Sequence, residues 1–251
     1  MFDVPKFLSY SPIYERSPDS VIYFDRLTST SDYAKELVSS GAKSGAIVLT
    51  DFQSGGRGRG GKSWQCEPGE GLLFSLVIDP DIDPSLWYRF SLAVGVAVAV
   101  TLESVAIEKS NKLGLKWPND VHIGGKKVAG ILIEVTNGMV VIGVGMNVSG
   151  SALLDTATSL SQGDINVERE KLLAELVKAI FQWGSLCGNG YDKLVYEYQK
   201  RCVLTGKVVT MQSMGQQVIG KVLGINNDGF IVLERDGESI AYSEGHDIKV
   251  V

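Results

Sequence analysis

The spacing of apolar and polar positions divides the chain before any chemistry is considered. "VIYFDRL", from Val21, and "GAIVLTDF", from Gly45, read as strands, the second of them buried. Between them "STSDYAKELVSSG" reads as a helix. Ser, Thr and Asp offer caps at its start, Tyr33 and Leu37 lie one turn apart, and Gly41 supplies the stop. "GLLFSLVI" is a further strand, followed by an apolar helix over about 84–109. Only thirteen residues separate Arg89 from Glu103 in that helix. This is too few for a bilayer span and predicts a helix buried in a protein core.

From Leu113 to Val148 short strands alternate with the turn signals "PND", "GGK" and "TNG". Connections this short force antiparallel neighbours. Two helices follow. In the first, Leu172, Leu173, Leu176, Val177, Ile180 and Phe181 keep helical spacing; "GSLCGNG" breaks it, and "YDKLVYEYQKRC" makes the second. From Val203 onward, short β-rich runs with "MGQQ", "NNDG" and "RDGE" turns read as a small barrel of about fifty residues. The expected division is therefore 1–202 and 203–251. Before the first strand, Pro5, Pro12 and Pro18 leave no room for a helix-turn-helix.

Charge changes the picture at one place. The chain is acidic, with a net charge of −5 and a pI near 5.2. That excludes a broad basic face for nucleic acid or membrane. Yet "SGGRGRGGKSW", from Ser54 to Trp64, carries three cations and five glycines. The glycines let backbone approach a ligand closely, and the arginines point to an anion. Gly56, Gly61, Lys62 and Ser63 also satisfy the P-loop pattern. A P-loop needs a helix next, and Pro68, Gly69 and Gly71 stand where its first turns belong. An RGG-type RNA segment would be repeated in a tail, whereas this one is single and lies between strands. Cys66, Cys187 and Cys202 show no paired spacing and predict reduced thiols in a cytoplasmic protein; His122 and His246 show no metal spacing. No metal site is expected, apart from Mg2+ arriving with a nucleotide. The first twenty residues lack a signal-peptide core.

Strand alternation then gathers a site. In "MVVIGVGMN", Val140, Ile142, Val144 and Met146 point one way, and Val141, Gly143, Gly145 and Asn147 the other. On the neighbouring run Gly130, Leu132 and Glu134 share a face; on "LGLKWPND", so do Gly114 and Lys116. If the registers align, a floor of glycines carries Lys116 and Asn147 and leaves room for a flat ligand. Pro118 keeps Trp117 out of helix, and Asn119 with Asp120 is expected to form an Asx-type turn.

Four motifs in one order, "STS", "GRGRGGKSW", "KWPNDV" and "AGILIE" with "GVGMNV", resemble the biotin–protein ligase family over residues 23–149, and the C-terminal barrel resembles that family too. The resemblance implies an α+β fold: a mixed, largely antiparallel sheet flanked by helices, like the core of class II aminoacyl-tRNA synthetases, with an SH3-like barrel. It implies that biotin and ATP give biotinyl-5′-AMP, and that a lysine of a biotin carboxyl carrier protein domain then takes the biotin. Carried over by motif, Ser29, Thr30, Ser31 and Gln53 would meet the biotin head. Gly56, Arg57, Gly58 and Arg59 would fold over biotin and adenylate. Lys116 would face the biotin carboxylate and α-phosphate, and would be catalytic together with Arg57 and Arg59. Gly130, Ile131 and Leu132 would line the biotin pocket. Trp64, Asn119 and Asn147 would join Arg57, Arg59 and Lys116 on the nucleotide side. Ser31 stands where the family usually has asparagine, and Gly60 and Lys62 where some members have arginine. The chain resembles members without an N-terminal DNA-binding domain, so operator binding is not expected. A lipoate or octanoate ligase or transferase, and a non-catalytic biotin binder, remain alternatives. Monomer and homodimer are both left open.

Overall fold

The computed structural model describes residues 1–105 and 113–251. Its helices are α1 (Val4–Tyr10), α2 (Pro12–Glu15), α3 (Thr30–Ser39), α4 (Phe90–Val105), α5 (Arg169–Gly184) and α6 (Tyr191–Gln199). Its strands are β1 (Val21–Phe24), β2 (Ile47–Thr50), β3 (Gly71–Ile78), β4 (Leu113–Lys116), β5 (Asp120–Ile123), β6 (Lys126–Thr136), β7 (Met139–Asn147), β8 (Val208–Ser213), β9 (Gln216–Ile225), β10 (Ile231–Arg235), β11 (Glu238–Tyr242) and β12 (His246–Val250). The end expected for the apolar helix, near 109, lies outside the described residues.

Seven strands form one sheet in the order β1-β2-β3-β7-β6-β5-β4. β1 and β2, joined through α3, are parallel, and every other pair is antiparallel. β2 and β3 are antiparallel and no helix follows Ser63, which removes the P-loop reading. The remaining five strands form a second sheet, ordered β11-β10-β9-β8-β12.

The two faces of the large sheet have different partners. Leu72, Phe74, Leu76, Ile131, Ile142, Val144 and Met146 join the main core with α4, α5 and α6. Val77 and Val141 point the other way and pack with Ala34 and Val38 of α3. α3 covers only part of that second face, and the uncovered part is where the site lies. Pro84–Val105 is apolar and long enough to cross a membrane by composition alone, but residues 92–99 are buried around the whole circumference of α4. A helix apolar on all sides and packed by protein is a core helix.

Two short helices, α1 and α2, precede β1. Pro5, Pro12 and Pro18 each stand in a first helical turn, where proline's fixed φ is favourable and its missing N–H costs nothing. Gly114 departs from the expected glycine floor. A Cβ there would lie 2.0 Å from Val203, so this glycine admits residues 201–203 against β4 and does not open the site. Leu115 donates to Arg201 and accepts from Val203, which covers the outer edge of β4.

Asp51, just beyond β2, anchors the segment that leads into the basic loop. It accepts hydrogen bonds from Tyr23 Oη (2.8 Å), the Phe2 amide (3.1 Å) and Arg169 (2.7 Å). Burial by itself would raise its carboxyl pKa, but Tyr23 and Arg169 outweigh burial and hold it below 3.8. A depressed folded-state pKa gives stability that is present above the unfolded value and is lost as pH falls through the folded one. The melting temperature should therefore drop with acidification below 3.8, and Asp51→Asn should flatten that part of the profile. At neutral pH the same change should cost about 3 kcal/mol by stranding Arg169, measurable by urea denaturation.

Candidate active site

The site is a cleft of about 640 Å³ on the uncovered sheet face. One row of paired residues crosses its floor: Lys116 opposite Asp120, Asp120 opposite Gly130, and Gly130 opposite Gly145. The glycines leave a trough, and the indole of Trp64 lies in it. A Cβ on Gly145 would come within 2.6 Å of that indole, and one on Gly130 within 3.1 Å.

The basic loop is a tight hairpin. Trp64 donates to the Gly56 carbonyl (2.9 Å) and Gly58 to that of Lys62 (2.7 Å), and Gly60 and Gly61 take positive φ at its tip. Trp64 pins this hairpin to the sheet. Gly145→Ala should push the indole out, at about 1–3 kcal/mol for overpacking. Trypsin should then cut at Arg57, Arg59 or Lys62 about tenfold faster or more, because cleavage follows the open population.

The second sheet supplies one wall: Gly245 and residues 246–249 of β12 line the cleft, and Lys62 Nζ meets Asp247 Oδ1 at 2.5 Å. Lys62 and His246 hold the Asp247 carboxyl down at about 2.

The cations differ in how far they are committed. Arg57 lines the cleft, but its guanidinium pairs with Asp32 (2.9 Å) and Glu134, and Lys35 bridges the same two carboxylates. Lys127 pairs with Asp120 at 2.6 Å. Lys116 and Arg59 form no ion pair among the described residues. Burial lowers both their pKa values; Asp120 pulls the lysine back up, while Lys127, Lys62 and Lys207 push it further down. His122 is held neutral-leaning by burial, and its Nδ1 lies 3.0 Å from the Gly125 carbonyl.

Residues 22–148 match the biotin/lipoate A/B protein ligase family. The chain belongs to that family. Over 227 residues it is 31% identical to the bifunctional ligase/repressor BirA of Bacillus subtilis, covering 85% of this chain and 69% of that protein. Over 212 residues it is 32% identical to the biotin–[acetyl-CoA-carboxylase] ligase of Mycobacterium tuberculosis, covering 80% and 77%. A solved structure of the Aquifex aeolicus biotin protein ligase, in complex with biotin and ATP, has the same fold. Its TM-score is 0.81 at 23% identity, over 92% of this chain and 99% of that one.

On this family's frame the motif residues fall as follows. Thr30, Ser31, Gln53, Arg57, Gly58, Arg59, Trp64, Lys116, Asn119, Gly130, Ile131, Leu132 and Asn147 all line the cleft. Ser29 and Gly56 do not. The Ser29 hydroxyl caps α3 by accepting from the Asp32 amide, and a Cβ on Gly56 would strike the Trp64 carbonyl at 2.6 Å. The amide nitrogens of Asn119 and Asn147 donate to the carbonyls of Ile131 (2.7 Å) and Thr158 (3.0 Å). Among the described residues no hydrogen bond to Asn119 Oδ1 closes the expected Asx turn at 119–120; the Asn119 Nδ2 donates to β6 and Asp120 pairs with Lys127. Sequence reasoning passed over Asp120, Lys127, Leu153, Leu154 and β12, all of which line the cleft.

Proposed function

We propose that this chain is an ATP-dependent biotin–protein ligase. A carboxylate oxygen of biotin attacks the α-phosphorus of ATP, the bond to the β-phosphate bridge breaks, and pyrophosphate leaves. The neutral amine of a lysine on a biotin carboxyl carrier protein domain then attacks the acyl carbon. AMP departs and the new amide sheds a proton. One observation carries the reading: Lys116 and Lys127 flank Asp120 in a cleft floored by glycines and lined by Arg59 of the hairpin, in a member of the ligase family. Two anions must meet before the first bond forms, and fixed cations in a partly dry cleft are what lowers that barrier.

In this reading Thr30, Ser31, Gln53, Gly130, Ile131 and Leu132 take biotin; Ser29 supports them as the cap of α3 and Gly56 as the hinge under Trp64. Gly58, Arg59, Trp64, Asn119 and Asn147 flank the nucleotide, and Arg57 joins them on leaving Asp32 and Glu134. Mg2+ enters as part of the nucleotide substrate, since Asp120 and Asp247, the carboxylates on the cleft wall, are already paired with lysines. Residues 1–202 form the catalytic unit, and 203–251 the unit that closes one wall. Three unpaired thiols fit a cytoplasmic protein.

Exchange of labelled pyrophosphate into ATP decides the substrate. It should depend on biotin and be absent with lipoate or octanoate; the reverse would assign the lipoate branch of the family. Binding of biotin without exchange or carrier labelling would leave a non-catalytic binder.

A further inference from the structure

The inner end of the cleft holds a chain of hydroxyl groups in which every proton direction is fixed. The backbone N–H of Thr30 donates to Gln53 Oε1 at 2.8 Å, so the amide must turn its oxygen that way. The Thr30 hydroxyl lies 3.1 Å from the same oxygen and can only donate to it. With its one proton committed, Thr30 Oγ1 accepts from Ser75 Oγ at 2.9 Å. Ser75 then has no proton left, so its 3.1 Å contact with Ser31 Oγ requires Ser31 to be the donor. Ser31 turns its proton inward and offers the cleft only lone pairs.

Ser75 is fully buried, is the one polar residue of β3, and does not reach the cleft wall. It stands opposite Gly143 in register, and a Cβ on Gly143 would come within 2.7 Å of Ser31 Oγ. A serine on β3 and a glycine on β7 thus provide one orientation and one space for a single hydroxyl.

We infer that Ser75 is a positioning residue that makes Ser31 an acceptor-only group, and that the cleft thereby selects a ligand presenting a ring N–H, as a cyclic urea does, over one presenting oxygen or sulfur there. This rests on the biotin reading above, whose bicyclic head is a cyclic urea.

The test is calorimetry on the whole chain with biotin and with the two cyclic carbamates in which one or the other ring N–H is replaced by oxygen. The wild-type protein should bind biotin about tenfold more tightly, or better, than the isomer that sets oxygen against Ser31. In Ser75→Ala the Ser31 hydroxyl is free to turn and donate, so the ratio for that isomer should narrow to about threefold or less. Ser31→Ala, which removes the acceptor itself, should narrow it too. A merely structural role for Ser75 would weaken both ligands alike and leave the ratio unchanged, which would overturn the inference while the biotin reading stood. Wild-type protein that binds both isomers as tightly as biotin would do the same. No binding of biotin at all would bring down the reading and the inference together.

Discussion

Lys116→Ala should slow biotin-dependent exchange of pyrophosphate into ATP by roughly 10²–10³-fold, the size of effect seen when one fixed charge-stabilising donor is lost. A carboxylate and a phosphate about 4 Å apart repel by about 4 kcal/mol at the effective dielectric of a protein surface. The Lys116 charge is available to offset this because no carboxylate lies within ion-pair distance of it among the described residues. Lys127 makes a useful contrast. It shares the floor but is bound to Asp120 at 2.6 Å. Lys127→Ala removes a cation and also exposes an unpaired carboxylate to the incoming anions, so its loss should be at least as large. The double variant Lys127→Ala with Asp120→Asn should recover part of the activity. Steady-state kinetics should place the Lys116 effect mainly in kcat, since the charge is needed most as the two anions join. Exchange within a few-fold of wild type would take Lys116 out of the chemistry.

Arg59→Gly should release the activated intermediate. Arg59 sits at the hairpin tip, lines the cleft, and pairs with no carboxylate among the described residues. In the proposed mechanism its guanidinium takes the phosphoryl group of the adenylate, and holding that group would also hold the hairpin shut. A closed hairpin keeps water and stray amines from the anhydride. Without the arginine, biotin should appear on lysines of a bystander protein such as serum albumin. The increase over wild type should be about an order of magnitude, the result of losing about 1.4 kcal/mol of retention. Blotting with labelled streptavidin measures it, and labelling confined to the carrier would show that the hairpin is no lid.

The large elements were legible because their signals are local. β3, α4 and α5 announce themselves by apolar runs or helical spacing, and the face of β7 that carries Gly143 and Gly145 follows from simple alternation. The short N-terminal helices were not, because the three prolines that argue against a helix-turn-helix also serve as helix starters. Gly114 looked like part of the floor because nothing local says that Val203, ninety residues on, fills the space. Lys127 was hidden by geometry. Counting back from Gly130 in twos puts Lys127 on the wrong face. The pairing shifts between Val121 and His122, so that Val128 is an extra residue in β6, and this bulge turns Lys127 toward Gly130 and the cleft. Arg57 stood out in the sequence as a cation of the loop, but its partners Asp32 and Glu134 come from two distant elements. Ser75 carried no signal in the sequence; its meaning lies in its hydrogen bonds to Thr30 and Ser31, which only the folded chain brings together.

The bulge at Val128 also bears on how this stretch can drift over generations. Substitutions between 120 and 130 can be absorbed one side chain at a time, but an insertion or deletion of a single codon there would invert the parity of everything beyond it. Lineages carrying this hairpin should therefore vary in spelling at its tip and hardly at all in length on its upstroke.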